Sequence, residues 1–330
     1  MKNKIIDILE NAKKGQATDI HIILESDCGK IRFRQKGIMK DFMEITKDEF
    51  KRIVNYLKFI AELDINEHKI PQSGKTAMQV NDEELAIRVS TLPLTLMDEV
   101  VVIRILGSLA KRQAGSLFLN DAEFDFFKKY MQLSQGLILF TGPTGSGKST
   151  LMFNLLNEII KEGTRQVISI EDPVEYEIDG MVQVEINEKA DISYAPLLKG
   201  ALRCDPDVLM FGEIRDKTIA RELIRASLSG HLVFSTFHSK SAISTLSRLK
   251  DFGLYDEELK QSISLIVNQR ILHSDAESFI IYEFLTAPQI NDYLMGRPVE
   301  YTRLNDRLIS LKKEGYLNHE KFIFYSQKFQ

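Results

Sequence analysis

The sequence predicts an α/β protein in two parts. A small α+β domain comes first, and a larger domain with a mainly parallel sheet and a helical C-terminal region follows. Three observations carry this. From Leu137 onward, short apolar runs alternate with amphipathic helical patterns, as in a parallel sheet covered on both faces. The Gly-rich stretch GPTGSGKST lies between one such run and one such helix. The first third instead reads as strands, with helices beside them.

The elements follow in order. MKNKIIDILENAKK sets apolar residues among charges at helical spacing. It has no continuous apolar core and no small-residue cleavage site, so it does not read as a signal peptide. DIHIILES and KIRFRQKG are apolar-rich runs separated by Asp27-Cys28-Gly29, which suggests a hairpin. Thr46 and Glu49 fit a capping box, and Phe50, Ile53, Val54 and Leu57 then share one helix face. KTAMQV, ELAIRVSTL and VVVIRIL read as strands and complete a domain over residues 1–106. GSLAKRQAGSL is rich in Gly, Ser and charge and sets a linker at 107–119. The second domain takes in 120–330. Asn120 and Glu123 start a helix with Phe124, Phe127 and Met131 on one face. LILF, QVISI, VLMF and HLVFSTF are strands; KSTLMFNLLNEII, TIARELIRASLSG and SAISTLSRLKDFG are helices, the second of which Gly230 can end.

Composition narrows the function classes. A length of 330 residues suggests two domains. Hydrophobic content of 44% with 27% charged residues is ordinary for a globular protein. The 43 Lys and Arg against 47 Asp and Glu leave a net charge of −4, which argues against broad binding to nucleic acid or anionic lipid. The two cysteines, Cys28 and Cys204, have neither zinc spacing nor a disulfide framework and read as reduced cytosolic thiols. No apolar run approaches the roughly 18 residues of a membrane span, so a membrane role would pass through a partner.

GPTGSGKST fits G-x-x-x-x-G-K-[ST], and its place after a strand and before a helix makes the motif credible. It comprises Gly142, Pro143, Thr144, Gly145, Ser146, Gly147, Lys148, Ser149 and Thr150. The glycines permit a tight loop whose backbone N–H groups face phosphate oxygens. Lys148 is expected on the β- and γ-phosphates and the Ser149 hydroxyl on Mg²⁺. The expected ligand is ATP or GTP.

Acids collect at two strand ends. ISIEDPVEY puts Glu171, Asp172 and Glu175 at one, and VLMFGEIRD puts Glu213 after Gly212 at the other. In doubly wound sheets that edge faces the ligand. Mg²⁺ keeps several waters, so an acid can act on it through water, and Gly212 would leave room for that water. His231 and His238 sit at the two ends of HLVFSTF. His238, at the ligand edge, is expected to sense the γ-phosphate, and the role of His231 is open. In LAIRVSTL, Arg88 points away from the face of Leu85, Ile87 and Val89. In VVVIRIL, Arg104 shares a face with Val102 and Leu106 and there needs a partner. Each arginine either closes a salt bridge inside its domain or is supplied to phosphate from another subunit.

Together these motifs resemble the secretion-superfamily ATPases of type II secretion, type IV pili and competence pseudopili. ATDIHI, RVSTLP and VVIRIL resemble their N-terminal signatures. GPTGSGKST resembles the Walker A, IEDPVEY the Asp box, ALRCDPDVLMFGEIRD the Walker B, GHLVFSTFHSKSA the His box, and NQRIL a further segment. The resemblance implies a hexameric cytosolic ATPase at the inner face of the cell membrane. Each subunit would join a PAS-like N-terminal domain to a RecA-like motor domain. It implies Glu171 as the water-activating acid, Glu213 as the Walker B acid acting on Mg²⁺ through water, and His238 on the γ-phosphate. Arg88 and Arg104 would reach nucleotide as the domains close. A polytopic inner-membrane platform protein would be the direct partner and pilin-like subunits indirect ones, with no direct nucleic-acid contact.

A short chain with no cysteine after Cys204, hence no four-cysteine zinc site, looks most like the competence branch in Gram-positive bacteria. IIYEFL favours the assembly side, while QSGK at 72–75 departs from the usual QDG-type segment. Type II secretion and pilus retraction are the alternatives within the family. A DNA translocase and a nucleotide-dependent scaffold with little turnover are the alternatives outside it.

Overall fold

Two units divide the chain, Met1–Ser108 and Leu109–Gln330. This computed structural model describes all residues except 27, 36, 82, 95–97, 107–117, 175–176, 188–191, 274–277 and 330. Glu175 and the Gly/Ser-rich 107–117 stretch therefore lie outside the described residues.

The first unit runs α1 (Lys2–Lys14), β1 (Ala17–Glu25), β2 (Cys28–Gln35), β3 (Ile38–Thr46), α2 (Lys47–Ile60), β4 (Gln72–Val80), β5 (Glu83–Pro93) and β6 (Glu99–Ile105). Its sheet is ordered β3-β2-β1-β6-β5-β4, with every pair antiparallel. Both helices cover one face. Ile5, Ile8 and Leu9 of α1 and Phe50, Ile53 and Leu57 of α2 pack on Ile20, Ile22, Ile31, Ile87, Val89 and Ile103. Thr46 caps α2 as expected, accepting from Glu49 N while the Glu49 carboxylate accepts from Thr46 N. Such a cap contributes ~1 kcal/mol. Two expectations need correction. Cys28 and Gly29 belong to β2 rather than to the turn, because Glu25 pairs directly with Cys28. The strand read from KTAMQV begins three residues earlier, so QSGK opens β4, where Gln72 pairs with Thr91.

The second unit adds α3 (Asp121–Met131), β7 (Gly136–Thr141), α4 (Lys148–Glu162), β8 (Val167–Glu171), β9 (Val182–Glu185), α5 (Tyr194–Ala201), β10 (Val208–Phe211), α6 (Lys217–Leu228), β11 (Leu232–Phe237) and α7 (Ala242–Asp251). It closes with α8 (Asp256–Ser262), β12 (Ile263–His273), β13 (Ser278–Thr286), α9 (Ala287–Leu294), α10 (Leu304–Lys313) and α11 (His319–Lys328). Its sheet is ordered β13-β12-β7-β11-β10-β8-β9, all parallel but for the antiparallel β12–β13 pair. The fold is thus the expected α/β type, with a mainly parallel sheet and helices at the C-terminus. Strands β7, β8, β10 and β11 are buried at every residue, since both faces are covered. Leu151, Leu155 and Ile159 of α4, with Phe127 of α3, pack on Ile138, Phe140, Met210 and Phe234. The other face meets Leu198, Leu223, Leu246, Leu259 and Ile290 from α5 to α9. This layering brings the C-terminal ends of β7, β11, β10 and β8 to one edge.

Candidate nucleotide site

The loop between β7 and α4 holds its shape through left-handed glycines. Gly142 has φ +137 and Gly147 φ +84. At Gly142 there is a second requirement, because a Cβ would come within 2.7 Å of both Gln269 O and Ser146 Oγ. Lys148 opens α4 and folds back, donating to Gly142 O at 3.1 Å and Pro143 O at 3.0 Å. It is only 7% exposed. Burial pushes its pKa down to about 8, with nearby Glu213 opposing and Arg270 adding to the shift. An ammonium whose hydrogen bonds go to two carbonyls in so dry a place is poised for an anion. The buried Ser146 Oγ finds no partner among the described residues. Pro143, Thr144 and Gly145 are exposed, so the loop's crown is open, and Ser149 and Thr150 are half-buried just behind it.

Register fixes the rest of the edge. Phe211 pairs with both Ile170 and Ser235, and Thr141 with Phe237, so Glu171, Gly212-Glu213 and His238 follow the same edge as the phosphate loop. Glu171 is 3% exposed and accepts from Ser169 Oγ at 2.7 Å and Gln183 Nε2 at 3.0 Å. Ser169 stands two residues back on the same strand face, and Gln183 comes from β9. His238 Nε2 lies 3.5 Å from Glu213 Oε2. Burial holds its pKa below the usual value, with Lys148 adding to that and Glu213 opposing, so the ring is neutral near pH 7. A Cβ on Gly212 would meet nothing nearer than 3.9 Å, so the space at that strand end is open.

Three groups here escape sequence reasoning. Arg215 bridges the two acid-bearing loops, donating to Glu213 and to Asp172. Asn268, Gln269 and Arg270, on β12, flank the phosphate loop; Gln269 Nε2 donates to Ser146 O at 2.8 Å. Tyr194 stacks on Phe211, 6.5 Å between centroids, and burial raises its hydroxyl to about 12. NQRIL is conspicuous in the sequence, but only strand pairing brings it beside β7.

The Ser149 hydroxyl and the Glu213 carboxylate are hard oxygen donors of the kind that would hold a divalent cation. Such a sparse, hard set suits Mg²⁺, which retains water, and not a metal caged by protein. No group of three or more His, Cys, Asp or Glu that could hold a metal occurs among the described residues.

The family model described as "Type II/IV secretion system protein" matches residues 1–289. The chain belongs to this family. It is 39% identical over 266 residues to the "Putative type II secretion system protein E" of Escherichia coli (strain K12), a match covering 80% of this chain and 54% of that one. It is 34% identical over 266 residues to "Competence protein ComGA" of Bacillus subtilis (strain 168), covering 81% and 74%. Against the type II secretion proteins, therefore, the chain spans about half their length. Among solved structures, the "Pilus Retraction Motor PilT and Bound ADP" aligns with TM-score 0.71 and 25% identity, covering 96% of this chain and 95% of that one. The Legionella pneumophila ATPase DotB shares the fold, with TM-score 0.80 at 18% identity over 99% and 96% of the two chains. Family and phosphate loop together mark the second unit as the P-loop domain of a secretion-family chain, and one relative, 37% identical over 268 residues, is the "Type II secretion system ATPase E" of Vibrio cholerae.

The two arginines of this secretion-family chain lie in the first unit, on the sheet face opposite α1 and α2. Arg88 does point away from Leu85, Ile87 and Val89, and its Nε donates to Ser73 Oγ at 3.0 Å. Arg104 does share a face with Val102, but it is the less buried face of β6, the buried one being that of Val101 and Ile103. Arg104 Nε donates to Asp19 Oδ1 at 2.8 Å, a salt bridge within the unit. Arg88 and Arg104 are direct cross-strand partners, and Lys75 lies opposite Arg88 on β4. In the second unit, His231 precedes β11 at the edge away from the phosphate loop; its Nδ1 lies 3.1 Å from both Ala226 O and Ser229 Oγ, a helix-end contact.

Proposed function

We propose that this chain is the Mg²⁺-ATP-driven motor of a pilus-like assembly machine, specifically the pseudopilus of competence for DNA uptake. The observation that carries the reading is the alignment of Lys148, Glu213, His238 and Glu171 along one sheet edge. Lys148 would exchange the Gly142 and Pro143 carbonyls for phosphate oxygens. The loop from Gly142 to Thr150 would cradle the phosphates with its backbone N–H groups. Ser149 would ligate Mg²⁺ and Glu213 would hold it through water, the ion neutralising phosphate charge when bound. Glu171, oriented by Ser169 and Gln183, would take the proton of the attacking water. Neutral His238 would donate toward the γ-phosphate. Arg88 and Arg104 would be delivered to nucleotide by the first unit, a device worth about 10³–10⁵ in rate where it operates.

We further propose domains at 1–106 and 120–330, joined by a linker at 107–119. The working form would be a cytoplasmic homo-hexamer bound to a polytopic platform protein at the membrane's inner face and moving pilin-like subunits indirectly. No described helix is long and apolar enough to cross a membrane. Similarity to ComGA supports the competence role. Similarity to type II secretion protein E supports a second reading, a secretion motor on the same chemistry. Deleting the gene and scoring transformation against protein export separates them. Lys148→Ala should abolish the affected process; if it left both ATP turnover and the process intact, the motor reading would be wrong.

A further inference from the structure

Three successive backbone carbonyls of the loop after β11 each accept a side-chain hydrogen bond. Arg248 of α7 donates to His238 O, Asn268 Nδ2 to Ser239 O at 3.3 Å, and Arg270 Nη2 to Lys240 O at 2.8 Å. The same short stretch of β12 also grips the phosphate loop. Asn268 Nδ2 donates to Thr141 Oγ1 at 2.8 Å, and Gln269 Nε2 to Ser146 O at 2.8 Å. Arg270 Nη1 closes the set by donating to Asn268 Oδ1 at 2.9 Å. Thr141, Asn268 and Gln269 are all at 0% exposure.

The Asn268 amide nitrogen has two hydrogens. One is committed to the strand that leads into the phosphate loop, the other to the loop that carries His238. Buried, the amide has no water to fall back on, so movement of one loop alone leaves a donor unmet. The neighbouring contact has a bond still to make. Ser146 Oγ and Gln269 Oε1 are both buried and lack partners among the described residues. A packed polar junction with an unmade bond has a second arrangement to gain, which is the physical basis of coupling between sites.

We propose that Asn268, assisted by Gln269, is a positioning residue that couples phosphate occupancy of the loop at 142–150 to the placement of His238. The inference rests on the reading of this loop as a nucleotide site. Phosphate draws Lys148 off Gly142 O and Pro143 O, the loop resettles, and Thr141 and Ser146 pass the shift through β12 to Ser239 and Lys240.

Hydrogen exchange of the full chain, with and without ADP, tests this in the wild type, Thr141→Val, Thr141→Ser, Asn268→Ala and Lys148→Ala. In the wild type, ADP should slow exchange at residues 238–241 by at least about fivefold, as for sites coupled through structure. Thr141→Val keeps the side-chain shape and removes the acceptor. It should still be protected by ADP at 142–150, lose the protection at 238–241, and regain it in Thr141→Ser. Asn268→Ala should behave like Thr141→Val. In Thr141→Val, kcat should fall with KM kept, and adding His238→Ala should cost little more. Protection at 238–241 in Thr141→Val equal to wild type overturns the proposal. So does a wild type that binds ADP without protecting 238–241. ADP binding that Lys148→Ala abolishes upholds the nucleotide site in either case, whereas a wild type that binds no nucleotide removes both.

Discussion

His238 Nε2 stands 3.5 Å from Glu213 Oε2, the ring from one strand end against the carboxylate of its neighbour. Burial and Lys148 keep that ring neutral near pH 7, so it retains one N–H to donate. His238→Ala should lower kcat by about 10²–10³, the usual worth of one donor aimed at developing charge, and leave ADP affinity nearly unchanged. Steady-state turnover with a parallel ADP titration checks both halves.

Glu171 and Glu213 have different surroundings. Glu171 is buried and oriented by Ser169 and Gln183, while Glu213 is shared between Arg215 and His238. In single-turnover experiments, Glu171→Gln should slow the hydrolytic step by about 10²–10⁴, the range of a lost general base, at unchanged Mg²⁺ requirement. Glu213→Gln should raise the Mg²⁺ concentration needed for half-maximal rate.

Lys148 carries a pH signature. Its pKa of about 8 in the free chain means that it loses its proton as pH rises through that value. A phosphate beside it favours the ammonium and raises the pKa, so binding takes up protons and ADP affinity falls between about pH 7 and about pH 9. Calorimetry in buffers of different ionisation enthalpy reads the uptake directly. Lys148→Arg, charged throughout that range, should bind without the pH dependence.

At Gly212, the open space separates stability from chemistry. A methyl group there meets nothing within 3.9 Å and φ is not left-handed, so Gly212→Ala should melt at or above the wild-type temperature, gaining ~0.4–1 kcal/mol. Turnover should still fall, because the methyl occupies the space beside Glu171 where water is needed. Thermal melts and phosphate release on the same sample decide it.

In the first unit, Lys58 and Glu99 form an ion pair of 2.6 Å at 0% and 2% exposure, with His68 Nδ1 2.8 Å from the same carboxylate oxygen. Lys58→Ala removes the cation and leaves the buried carboxylate with His68, and should cost about 3–5 kcal/mol, whereas Lys58→Met with Glu99→Leu should restore most of it. Denaturant unfolding of the three chains measures the difference.

The central strands and the phosphate loop are legible because local pattern and burial agree there: VLMF and LILF are apolar throughout, LVFSTF is mostly so, and all three strands are buried on both faces. β3 is not legible because only Ile45 of IMKDFMEIT is buried, so no alternation marks it. The antiparallel β12–β13 pair is not legible because neither ISLIVNQRILH nor SFIIYEFLT alternates cleanly between apolar and polar residues. Both misses concern tertiary pairing. The same applies to the site: Glu171, Glu213, His238 and Lys148 come with motifs, whereas Arg215 matters through its reach to Asp172, 43 residues away, and Asn268 and Gln269 through Thr141 and Ser146. At Arg104, alternation separates the two faces of β6 correctly but leaves open which one the helices cover.

Phosphate release from Mg²⁺-ATP by the full chain, compared with Lys148→Ala, tests the motor account most directly. Sustained turnover that Lys148→Ala lowers by at least about 10²-fold is the predicted result. Equal rates in the two chains, or no turnover by the wild type in its assembled state, would contradict it.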